Sequence, residues 1–185
     1  MILAAQSAPP PERSSARVRL RPTMTSDLEF VLSLERDAEN LPFITPWERT
    51  QHEGAVRFPD FRHFIVEAGP GTQAVGFVIL QGCRSPHRAV ELKRIVLQRK
   101  GEGLGRACVR RLKQMAFRDL RAHRFWLDVK QHNTRAQALY ASEGFVVEGT
   151  LRDAVRIEGG FDSLVVMSML EAEYAERVAI GAELG

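Results

Sequence analysis

The feature that most constrains this fold is a change of period between Val90 and Phe117. Val90, Leu92, Ile95, Val96 and Leu97 are bulky, mostly branched and too short a run for a helix, so they predict a buried strand. A turn follows, Arg99-Lys100-Gly101-Glu102-Gly103-Leu104-Gly105. Beyond it Leu104, Cys108, Leu112, Met115 and Ala116 recur at helical spacing, so the glycines sit where a strand hands over to a helix. A helix N-terminus presents free amides and about half a positive charge, which suits phosphate. Arg106, Arg110 and Arg111 nonetheless stand in the first turns, where the dipole disfavours them. Either they face water or a bound polyanion offsets the conflict. The stretch is not a P-loop, which needs Gly-x-x-x-x-Gly-Lys-Ser/Thr. It is not the dinucleotide fingerprint either, because Arg106 stands where a third small residue is needed.

The rest of the chain predicts an α/β domain around that unit. Gln6 to Ala16, with three consecutive prolines, reads as a mobile tail, so residues 1–16 are set apart from a single folded domain over 17–170. Arg17 to Arg21 predicts a first strand ended by Pro22, and Thr25 or Ser26 then caps a helix bearing Leu28, Val31, Leu32 and Leu34. The loop Asn40 to Trp47 carries Phe43, Ile44 and Trp47, either as core plugs or as the lining of a substrate cleft. Thr45 caps a short helix there, with Pro46 at its first position. Asp60 to Glu67 and Ala74 to Leu80 predict a hairpin, as do Phe145 to Ile157 and Phe161 to Leu170 around Glu158-Gly159-Gly160. Phe125 to Val129 is a further strand, parallel to the central one because a helix connects them. Residues 171–185 read as a peripheral helical segment.

A net charge of +3 without a basic cluster or an RNA-binding aromatic motif makes nucleic acid a weak partner. No apolar run approaches the ~20 residues of a membrane span. Cys83 and Cys108 show no metal-ligand spacing, so no metal and a reducing, cytoplasmic setting are expected.

A second constellation lies at Asn133, Ala136 and Tyr140, which share one face of a short helix ended by Gly144-Phe145. Tyr140 is either a packing residue or a hydroxyl aimed at whatever binds the glycine turn. The two motifs together resemble the GNAT superfamily of N-acetyltransferases. The match rests on Lys100-Gly101-Glu102-Gly103-Leu104-Gly105, and on Asn133, Ala136, Leu139, Tyr140, Gly144 and Phe145. Lys100 stands where the family usually has Arg or Gln. Gly149-Thr150-Leu151-Arg152-Asp153 looks like the branch that acetylates ribosomal-protein N-termini.

The resemblance implies a mixed, mostly antiparallel sheet of about seven strands with a central splayed parallel pair, flanked by about four helices. It implies acetyl-CoA as cosubstrate and a primary amine as acceptor, small molecule or protein N-terminus, with a homodimer compatible. Ile95, Val96 and Leu97 would hydrogen-bond the pantetheine arm. Lys100, Gly101, Gly103, Leu104, Gly105, Arg106, Asn133 and Ala136 complete the coenzyme site. Phe43, Trp47 and Arg152 would meet the amine. The reaction needs a proton taken from the amine and one given to the departing thiolate. Tyr140 is the expected acid. Glu91 is the expected base, placed by alternation on the face of Ile95 and Leu97, unless it only pairs with Lys93; Asp128 is its rival. A non-catalytic coenzyme A sensor or scaffold is the alternative.

Overall fold

A computed structural model describes residues 17–183, so the tail expected over 1–16 lies outside the described residues. The elements run β1 (Val18–Pro22), α1 (Leu28–Glu35), α2 (Arg49–Arg57), β2 (Arg62–Ala68), β3 (Gln73–Gln81), β4 (Ala89–Leu97), α3 (Leu104–Gln114), β5 (Arg124–Lys130), α4 (Thr134–Ser142), β6 (Val146–Ile157), β7 (Gly160–Leu170) and α5 (Glu171–Ala179). One seven-stranded sheet in the order β1-β2-β3-β4-β5-β7-β6 contains all the strands, and only β4 and β5 run parallel. Five α-helices flank it, one more than the sequence reading counted.

Strand alternation sends side chains to two cores. Val78, Leu80, Val90, Leu92, Phe125 and Leu127 pack with Cys108, Val109 and Leu112 of α3 and Tyr140 of α4. On the other face Ile65, Phe77, Ile79 and Val96 meet Val31 and Leu34 of α1, with Ile44 and Trp47 against them. The sheet therefore separates two layers, with α3, α4 and α5 on one side and α1 and α2 on the other.

Two helix starts differ from expectation. Neither Thr25 nor Ser26 caps α1: Thr25–Asp27 forms a 3₁₀ turn, and the Asp27 carboxylate accepts the Met24 amide at 2.7 Å. The loop helix does not begin at Pro46. It starts at Arg49, because the Thr45 carbonyl accepts from Arg94 at 2.9 Å and the Trp47 amide donates to Glu35 at 2.6 Å, which holds the segment before α2 extended. The C-terminal segment is also less peripheral than expected. Tyr174 stacks on Phe117 at 4.7 Å, and buried Glu183 accepts from buried Lys113 at 2.6 Å.

Candidate active site

The parallel pair holds together for three residues and then parts. Ala89, Val90 and Glu91 pair with Arg124, Phe125 and Trp126; beyond them neither strand has a partner on the side facing the other. A cleft of about 1500 Å³ opens through that gap. Leu92 to Leu97 and Asp128 to Lys130 form its strand walls, the glycine turn and α4 one end, and Phe43 to Trp47 the other. Backbone groups along the unpaired edges are left for a ligand, since a strand directs N–H and C=O groups sideways.

At the glycine turn Gly101 and Gly103 have φ of +88° and +78°, conformations that a side chain would strain. Gly103 is the N-cap of α3, so the amides of the first turn point out without helical acceptors. Gly105 faces Leu139 so closely that an added Cβ would lie 3.2 Å from it. Leu104 is a core residue outside the cleft lining, so only its backbone can serve the turn as expected.

The charge conflict on α3 is resolved inside the protein. Glu143, fully buried, accepts from Arg106 at 2.8 Å, Arg110 at 3.1 Å and Lys113 at 3.1 Å. A bound polyanion is thus not needed to offset Arg106 and Arg110, which still line the cleft beside Arg99 and Arg135, while the third arginine, Arg111, faces water 4.0 Å from Asp119. Lys100 reaches across the mouth to Glu39 at 3.1 Å. Asn133 lines the cleft and caps α4, its side-chain oxygen accepting the Ala136 amide at 3.2 Å.

Tyr140 is buried against Phe145, yet it lines the cleft. Its hydroxyl has no hydrogen-bond partner among the described residues, and the residue belongs to the cavity wall. Burial first, then the nearby Cys108 and Asp128, hold it well above the ordinary phenol range, so it stays protonated at any working pH.

Glu91 does not share a face with Ile95 and Leu97. On β3, Ile79 and Leu80 are neighbours, yet they pair with Arg94 and Leu92, so Lys93 is an extra residue that flips the alternation. Glu91 therefore points with Arg94 and Val96, lies outside the cleft lining and is bonded to Lys93 at 3.0 Å. Burial still raises its carboxyl above the ordinary range, against the pull of Lys93. Asp128 lines the cleft instead, and among the described residues it has no ion-pair partner. Its charge helps to raise both the Tyr140 hydroxyl and the Glu91 carboxyl above their ordinary ranges.

Phe43 and Trp47 both line the cleft. Phe43 leans on His132 at 5.7 Å between ring centroids, and Trp47 covers the Arg94 guanidinium at 4.9 Å. Arg152 does not join them: it is exposed on β6, where the register with β7 slips between Leu151 and Val155. Sequence reasoning missed the pair beneath this wall, Glu35 and Arg94, both buried and bonded to each other. Glu35 closes the apolar face of α1 and Arg94 stands inside β4 beside Glu91 and Lys93, so nothing local marks either as the buried member of a pair.

A sheet opened in this way is the splayed parallel pair that the acetyltransferase resemblance implies. Comparison with known proteins supplies the family: the profile of the acetyltransferase (GNAT) domain matches residues 17–146, and the chain belongs to the GNAT N-acetyltransferases. It is 25% identical over 174 residues to the spermidine N(1)-acetyltransferase of Vibrio cholerae serotype O1, covering 88% of this chain and 98% of that one. A crystal structure of the Vibrio cholerae spermidine N-acetyltransferase with CoA and spermine is 26% identical and superposes with a TM-score of 0.77, over 86% of this chain and 98% of that chain. A dodecameric structure of that enzyme gives 0.74 at 26% identity, over 87% and 98%. These relatives act on spermidine, so the ribosomal-protein branch expected from Gly149 to Asp153 gains no support; that stretch is an exposed, slipped part of β6.

The residues fit coenzyme A. The first-turn amides of α3 and the side chains of Arg99, Arg106 and Arg135 suit its phosphates, and the unpaired edge of β4 suits the amides of its arm.

Proposed function

We propose that this chain transfers the acetyl group of acetyl-CoA to a primary amine by direct attack, with Tyr140 as general acid and Asp128 as the group that receives the amine. The observation that carries this reading is the placement of a phenol and a carboxylate, neither partnered among the described residues, in one cleft on opposite layers of the splayed pair. The amine gives up a proton to Asp128 or a water beside it, and its nitrogen then bonds to the thioester carbon. As the carbon–sulfur bond breaks, the Tyr140 hydroxyl gives its proton to the sulfur and regains one from the nitrogen through water. Glu91, held by Lys93 behind the wall, keeps a secondary part at most. A non-catalytic sensor would have no use for either open group.

The relatives' acceptor makes polyamines the first amines to test. Coenzyme A should raise the melting temperature by several degrees at saturating concentration, with ATP and NAD giving far less. Equal shifts from all three would remove the coenzyme site.

We also propose self-association through β6, the edge strand whose Val146, Val147 and Leu151 are exposed. Light scattering should show more than one copy per particle. A Val147→Lys variant that keeps the parental mass would exclude this edge.

A further inference from the structure

The wall of the cleft facing the amine is built from Phe43, Ile44, Trp47, Val155 and Leu164, with four ionisable groups set among them. Three of those four are cations. Lys93 is bonded to Glu91 at 3.0 Å, Lys130 donates to the Pro42 carbonyl at 3.1 Å, and Arg94 is held by Glu35 and the Thr45 carbonyl. The fourth is Asp128, the one carboxylate on this wall among the described residues.

The acids that balance the cations sit behind the surface. Glu35 is fully buried, and its oxygens are spent on Arg94 and on the Trp47 amide at 2.6 Å, with the His52 ring 3.4 Å away. Glu91 is similarly committed to Lys93. The other acidic residue lining the cleft, Glu102, lies in the glycine turn, 3.5 Å from Arg99.

Resting on the acetyltransferase reading above, we infer that the acceptor carries a single ammonium group on an apolar body, and that polyamines are poor acceptors for this chain. Asp128 offers a place for one ammonium. A polyamine brings at least one more, which would have to leave water beside Lys93, Arg94 or Lys130 with no carboxylate to receive it. An apolar body instead covers Phe43, Ile44 and Trp47 and displaces water from them. A small arylalkylamine and a peptide N-terminus that begins with an apolar residue share this chemistry.

The test measures kcat/KM for 2-phenylethylamine, phenylalanyl-alanine amide and spermidine, with coenzyme A binding followed separately by calorimetry. At least one of the first two should exceed spermidine by about tenfold or more, and which one leads identifies the source of the amine. Asp128→Asn should lower kcat/KM for every amine by about tenfold or more and leave coenzyme affinity unchanged. Ile44→Glu, which adds a carboxylate to the wall, should raise spermidine turnover several-fold. Coenzyme bound and spermidine preferred, or no amine acetylated, overturns the inference and spares the coenzyme site. Failure to bind coenzyme A removes the acetyltransferase reading itself.

Discussion

Tyr140→Phe should slow single-turnover acetyl transfer by about 10²–10⁴-fold, the usual contribution of a positioned general acid. The ring stays, so its packing against Phe145 and the α3 side of the sheet is kept. The hydroxyl is lost, and among the described residues it held no other bond whose absence would unsettle the fold. Coenzyme affinity by calorimetry should therefore move little. Single-turnover measurement matters, because slow product release can hide a loss in the chemical step. A parental single-turnover rate in the variant would make Tyr140 a packing residue and leave the thiolate to take its proton from water.

Glu35→Ala should lower unfolding free energy by about 3–5 kcal/mol, the range for breaking a buried ion pair from one side. It strands Arg94 in the interior and leaves the Trp47 amide without its acceptor at the same time. Replacing both charges, as Glu35→Leu with Arg94→Met, should recover most of the loss. Urea denaturation of the two variants checks this, and equal losses in both would point to packing and not charge.

The same cluster sets an acid limit. His63, bonded to His52 at 3.1 Å, is held down to about 4, mainly by burial and then by its neighbour. Its folded value lies below its unfolded one, so its contribution is whole above about 6.5 and is lost as pH falls toward about 4. Stability at pH 5 should be about 2 kcal/mol below that at pH 7 from this ring alone. Burial would raise Glu35, but bonds from His52 and Trp47 and the charge of Arg94 lower it on balance. Its contribution is therefore present above its unfolded value and disappears in stronger acid, adding to the loss. Equal stability at pH 7 and pH 5 would mean that His63 is solvated.

The strand, glycine turn and helix were legible because the apolar period changes there from two to nearly four, and the parallel pair followed from the helix between its strands. Tyr140 was legible for the same reason: it lies one helical turn beyond Ala136 on a helix that starts at the same edge. Glu91 was misplaced because alternation assumes a regular strand, and the extra residue at Lys93 is visible only in the pairing with β3. Glu35 and Arg94 are 59 positions apart, and no local pattern reports which buried charge will meet which. The late start of α2 goes with that same pair, since Arg94 holds the Thr45 carbonyl that a helix from Pro46 would use and Glu35 anchors the Trp47 amide.

The ammonium of Lys113 lies at the centre of the α3 layer, and one of its two counter-ions, Glu183, comes 70 residues later. A ribosome releases α3 long before that carboxylate. Until Glu183 emerges, Glu143 is the one counter-ion available to Lys113 among the described residues, so the charge balance of this layer is completed from beyond the last strand. Vectorial synthesis thus runs against the order of the contacts. Glu183, bonded to Lys113 and Arg177, acts as the fastener of the finished domain.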